Sequence, residues 1–116
     1  MVDSFVDSLP RERFNLLKEA SLEMILRLND CKNKRYKIGN IITIVPDDGA
    51  KEEVRIQINN FYYFHNIKEA FEFLGRERFA FSKRTPLDKI EDKYLSFFSQ
   101  EQVNKYGVVC MEVVRV

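Results

Sequence analysis

A chain of 116 residues that is 45% hydrophobic and 32% charged, with four Gly and three Pro, has the make-up of one compact folded domain. Its 19 Lys and Arg stand against 18 Asp and Glu, a net charge of +1, which excludes wrapping duplex DNA by bulk charge and leaves room for a local basic patch. Cys31, Cys110 and the single His65 are too widely spaced for a Cys/His zinc motif, and no apolar run exceeds strand length, so neither metal, cofactor nor membrane contact is predicted. The expected setting is a reducing cytoplasm with both thiols free, and a monomer is favoured.

Ser8-Leu9-Pro10 reads as a helix entrance, because proline lacks only an N–H that the first turn would leave unpaired. The helix it opens, from about 10 to 20, turns Phe14 and Leu17 inward. Residues 22–28, "LEMILRL", alternate like a strand, with Leu22, Met24, Leu26 and Leu28 on one face and Glu23, Ile25 and Arg27 on the other. A polar stretch, 29–40, ends in the turn signal Gly39-Asn40. "IITIV" (41–45) is β-branched enough for a strand and "PDDGA" closes it.

In the next strand Val54, Ile56 and Ile58 alternate with Arg55, Gln57 and Asn59. Asn59-Asn60 then breaks the phase before "FYYF", which predicts a β-bulge. Asn66 and Glu69 cap a short helix with Ile67, Ala70, Phe71 and Leu74 on one side, and Gly75 ends it. Thr85-Pro86-Leu87-Asp88 starts a second helix with the stripe Leu87, Ile90, Tyr94, Leu95 and Phe98. Ser99 with Gln102 opens a third, stopping at Gly107. "VVCMEVVRV" is apolar on both faces and predicts a final strand in mid-sheet. The expected order is α-β-β-β-α-α-α-β, an α+β fold: one domain, residues 1–116, built as a small mixed β-barrel with helices packed on one side.

The stretches "FNLLKEASLEMILRLNDCKNKRYKIGNIITI" and "EQVNKYGVVCMEVV" resemble the ASCH domain family, a branch of the PUA-like β-barrels, over residues 14 to 116. The most specific parts are "LRLND", "YKIGNIITI" and "KYGVV". The resemblance implies RNA binding in a cleft between barrel and helices, lined by a G-x-K-x-x-E-x-R motif; some members are amidohydrolases acting on acetylated cytidine. With Arg27 at the motif arginine, Ala20 falls at the glycine, Leu22 at the lysine and Ile25 at the glutamate, which is threonine in the hydrolases. Leucine and isoleucine move no proton, so that chemistry does not carry over and no catalytic residue is predicted.

Candidate ligand residues follow. Arg27 is either one half of a structural ion pair with Glu23 or Asp30, or a planar fork for a phosphate, carboxylate or base edge. Glu23 is a weaker candidate on the same strand face. Lys32, Lys34 and Arg35, in "KNKRYK", are either a solvated turn or phosphate contacts, with Tyr36 available for stacking. Tyr106 either lines the cleft or plugs the barrel end. Arg76, Arg78, Lys83 and Arg84 interleave with Phe79 and Phe81, but these rings read better as core. His65 reads as exposed and Cys110 as inert packing. Three readings stand: a non-catalytic module for RNA or a nucleotide-like ligand, an amidohydrolase that recruits Lys18 for the missing lysine, and a partner-binding domain with a vestigial cleft.

Overall fold

The computed structural model describes residues 5–19 and 21–116. In chain order the elements are β1 (Phe5–Leu9), α1 (Arg11–Lys18), β2 (Met24–Leu28), α2 (Cys31–Lys34), β3 (Ile41–Pro46) and β4 (Val54–Phe64). They continue with α3 (Ile67–Leu74), a 3-10 turn (Glu77–Phe79), α4 (Leu87–Leu95), α5 (Gln100–Tyr106) and β5 (Val108–Arg115). The strands form one five-stranded sheet, ordered β1-β3-β4-β5-β2, in which β1 runs parallel to β3 and the other pairs are antiparallel. It curls into a half-barrel whose edge strands, β1 and β2, face each other across a seam without pairing.

The strand β1 is absent from the sequence reading, which has 5–10 only as the approach to a helix. "FVDSL" places an acid at the central inward position, so the alternation of Phe5, Asp7 and Leu9 does not register as apolar. Parallel pairing with β3, from Phe5↔Ile42 to Leu9↔Pro46, makes it a strand. The opening helix begins at Arg11 after Pro10, and α2 adds one turn inside the polar stretch.

Two cores flank the sheet. Inside the curl, Val54, Ile56 and Ile58 of β4 meet Met111 and Val113 of β5, with Ile42, Ile44, Ile25, Phe14 and Leu17. Outside it, Met24, Leu26, Leu28, Val108 and Cys110 meet Ile67, Ala70 and Phe71 of α3, Ile90 and Tyr94 of α4, and Val103 of α5. This explains the doubly apolar final strand: β5 lies between β4 and β2 with both faces covered. The register shifts between Ile58 and Asn60. That bulge moves the inward set of β4 from Ile56 and Ile58 to Phe61 and turns Tyr62 and Phe64 toward the helices.

If Leu22, Met24, Leu26 and Leu28 filled the barrel, Arg27 would face its helix-covered side; within the strand the reverse holds. Met24, Leu26 and Leu28 pack under the helices, so Arg27 points into the half-barrel and not to its helix-covered side. Leu22 parts company with them because the strand begins only at Met24, the Glu23 N–H being taken by the Arg78 carbonyl at 3.0 Å; its side chain joins the inner core. The helical caps follow the sequence. Asn66 Oδ1 accepts from the Glu69 N–H at 2.9 Å, and Ser99 and Gln102 form a reciprocal capping box.

Gly107 joins α5 to β5 at φ +71°, and a Cβ there would lie 2.8 Å from the Phe64 carbonyl oxygen. Gly107→Ala should therefore lose about 2 kcal/mol, from left-handed backbone strain plus a clash with main chain. Gly75 also has positive φ but nothing near its absent Cβ, so Gly75→Ala should lose about half as much. Urea unfolding of the two variants checks the difference; equal losses would mean that the close approach is immaterial.

Candidate functional site

The seam between β1 and β2 opens into a cleft of about 300 Å³, bounded on its far side by the end of α4 and the start of α5. Ser8 and Leu9 line it from β1, Ile25 and Arg27 from β2, and Tyr94, Phe97 and Phe98 from the helical side. Its size is at the lower end for small-molecule sites and suits one small molecule or one unit of a polymer.

Arg27 bridges the seam. Its Nη2 donates to the Ser8 carbonyl at 2.6 Å and lies 3.5 Å from Asp7 Oδ1, so the side chain of one edge strand ties down the other. Glu23 and Asp30 are therefore not its partners. Glu23 is largely exposed and pairs with Arg78 at 3.6 Å, while Asp30 caps α2, accepting from the Asn33 N–H at 3.0 Å. Arg27 Nε is buried without a partner among the described residues. Its Nη1 makes no bond to them either, and Arg27 lines the cleft with 22% of its side chain exposed.

Asp7 organises the floor. It is buried, with Oδ1 accepting from the Ser8 N–H at 2.8 Å and Oδ2 from the Tyr36 hydroxyl at 2.9 Å. Lys32 Nζ lies 3.6 Å from Oδ1. Burial by itself would raise this carboxyl, but Arg27, the two hydrogen bonds and Lys32 outweigh it and hold the group below the usual carboxylate range. Tyr36 in turn accepts from Arg35 Nη2 at 2.9 Å, and burial together with the Asp7 charge pushes its hydroxyl up.

A second guanidinium, absent from the sequence reading, reaches the cleft from α1. Arg13 is only 6% exposed; its Nη1 donates to the Phe79 carbonyl and its plane lies over Phe81, 4.3 Å from the ring centroid. Arg13 and Arg27 both act on the Tyr94 hydroxyl, which burial pushes up and their charges pull down. Both cations line the cleft together with Tyr94.

The other predicted residues divide. Lys32 lines the cleft. Lys34 is exposed outside it, and Arg35 and Tyr36 lie behind Asp7, with Arg35 over the Phe5 ring at 5.2 Å. Tyr106 lies in a separate hollow with Asn29, Tyr63 and His65. Leu22 and Ile25 do line the cleft, whereas Ala20 lies outside the described residues. Phe79 is fully buried, His65 exposed and Cys110 buried, its thiol pushed up to about 12 by desolvation. Asp7 and Arg13 carried faint signals: Asp7 alternates with Phe5 and Leu9, and Arg13 stands four residues before Leu17 on the buried stripe of a helix. No group of three His, Cys, Asp or Glu among the described residues could hold a metal ion.

A mixed half-barrel with an inserted helix, a helical layer outside and a cleft at its seam is an ASCH-like fold. The ASCH domain from Lactobacillus crispatus superposes with a TM-score of 0.64 at 14% identity, over 97% of this chain and 79% of that one. The hypothetical protein PH0355 matches at TM-score 0.84 and 24% identity, over 98% of this chain and all of its own. Protein PF0455 from Pyrococcus furiosus matches at 0.77 and 23%, over 98% of each chain. No family model matches the sequence, and no curated protein matches it significantly.

Proposed function

We propose that this protein is a non-catalytic binding module that takes RNA or a nucleotide-like ligand in the seam cleft. The observation that carries the reading is Arg27: one guanidinium nitrogen is fixed by the Ser8 carbonyl while another stays available beside Tyr94, Phe97 and Phe98. A held fork next to aromatic faces suits a ligand that combines an anionic group with a flat ring. Lys32 adds a flexible cation at the rim, 61% exposed. The amidohydrolase reading finds less support, because Leu22 and Ile25 present only hydrocarbon to the cleft. Lys18, its stand-in lysine, pairs with Glu52 at 3.2 Å away from the cleft.

Arg27→Met tests the proposal. Binding of single-stranded RNA or of mononucleotides, followed by fluorescence titration at low salt, should weaken at least tenfold, or about 1.4 kcal/mol, since a charge-assisted bond is lost. Stability should fall by only about 1 kcal/mol, because Asp7 keeps Lys32, Tyr36 and the Ser8 N–H. A folded variant that binds as tightly as wild type would remove Arg27 from the site.

A further inference from the structure

Arg13 poses a problem that the nucleotide-binding reading does not by itself answer. A guanidinium 6% exposed carries a full charge with no carboxylate partner among the described residues. Among the described residues it makes one hydrogen bond, to a main-chain carbonyl, and one cation–π contact, and its Nε is buried without a partner. Glu12, whose carboxyl feels the Arg13 charge, is already held by Lys93 Nζ at 2.8 and 2.9 Å. The neighbouring Arg11 shows the usual arrangement, bonded to Asp48 at 2.7 Å and Glu52 at 3.0 Å. A buried cation is costly unless a counter-charge meets it, and Arg13 lines the cleft.

We propose that the missing counter-charge is the ligand's own: Arg13 is a phosphate-binding residue at the closed side of the cleft, and the ligand is a nucleotide bearing a terminal phosphate monoester. This rests on the nucleotide-like reading and narrows it. The Phe79 carbonyl fixes Nη1 and leaves Nη2 as the nitrogen for a phosphate oxygen. An internal phosphodiester continues as chain on both sides and cannot be threaded onto a cation so enclosed, whereas a terminal group can enter end-on. The volume of about 300 Å³ suits one nucleotide, free or at the end of a strand. With Arg27 lining the same cleft, the phosphate would lie between two guanidiniums, and the base against the aromatic wall.

The test compares each common nucleoside with its 5′-monophosphate by calorimetric titration at low salt, on wild type, Arg13→Met and Arg13→Lys, with circular dichroism to verify folding. Wild type should bind at least one monophosphate about tenfold or more tightly than its nucleoside. Arg13→Met should cut that preference at least several-fold, leaving only the share carried by Arg27, and Arg13→Lys should retain more of it. A 5′-phosphorylated RNA tetranucleotide, run alongside, distinguishes a free nucleotide from an RNA 5′ end; tight binding of either supports the monoester. If Arg13→Met does not fold, the wild-type comparison and Arg13→Lys decide. Equal affinity for nucleoside and monophosphate would overturn the role of Arg13 and leave the nucleotide-like reading standing. A preference undiminished in folded Arg13→Met would put the phosphate elsewhere. Binding of none of these probes would defeat both.

Discussion

Asp7→Ala should destabilise the protein by about 3 kcal/mol, one of the two largest single effects expected here, although the residue lies in a short edge strand. The carboxylate is buried and is the common acceptor of the Ser8 N–H and the Tyr36 hydroxyl. Its removal leaves Arg27 with the Ser8 carbonyl as its remaining partner and the buried Tyr36 hydroxyl without an acceptor for its proton. The pH dependence has a definite sign. The folded-state pKa of Asp7 is depressed below its ordinary 3.8, so its contribution is fully present above that value and is lost as pH falls through the depressed one. Urea unfolding between neutral pH and the acid limb should show wild type approaching Asp7→Ala in stability only below the ordinary aspartate range. Asp7→Asn should recover part of the loss, since an amide oxygen can still accept. Parallel wild-type and Asp7→Ala curves down to the lowest accessible pH would mean that the carboxylate is not coupled to folding.

Phe71→Ala should cost about 3–5 kcal/mol, and its effect should reach the cleft. Phe71 is almost wholly buried at the centre of the outer core, with ring centroids 4.2 Å from Phe79, 5.7 Å from Phe81 and 5.8 Å from Tyr94. All three neighbours support the site. Tyr94 lines the cleft, and Phe81 lies under the Arg13 guanidinium. A cavity behind them would loosen the aromatic wall and the carbonyl of Phe79 that holds Arg13. Thermal unfolding gives the stability loss, and nucleotide titration at a temperature where the variant is folded gives the second effect. Phe73, on the same helix but 72% exposed, is the control: Phe73→Ala should change stability by less than about 1 kcal/mol. Near-equal losses for the two would contradict the placement of the outer core on the Phe71 side of α3.

Periodicity explains which parts could be read in advance. The alternation of Val54, Ile56 and Ile58, the phase break at Asn59-Asn60, the Ser99–Gln102 cap and the stripe through Ile90 and Tyr94 are local patterns. Each has a local physical cause in strand pleat, bulge or helix end, so residues close in the chain suffice to reveal it. The doubly apolar "VVCMEVV" likewise placed the last strand in mid-sheet before any partner was known.

The site obeys different rules. Which face of β2 looks inward is undetermined by an alternation that is apolar on one side and half-apolar on the other. Only the pairing of β2 with β5, and the helices covering Met24, Leu26 and Leu28, turn Arg27 into the half-barrel. Its acid then comes from Asp7, twenty residues earlier, on a strand that exists because it pairs in parallel with β3. Arg13 arrives at the cleft from a helix and is held there by the carbonyl of Phe79, far along the chain. Local composition therefore determined most of the elements and much of the core, whereas β1 and the charge partners across the seam were decided by tertiary contact, because strand pairing and electrostatic neighbours depend on distance in space and not on spacing in sequence.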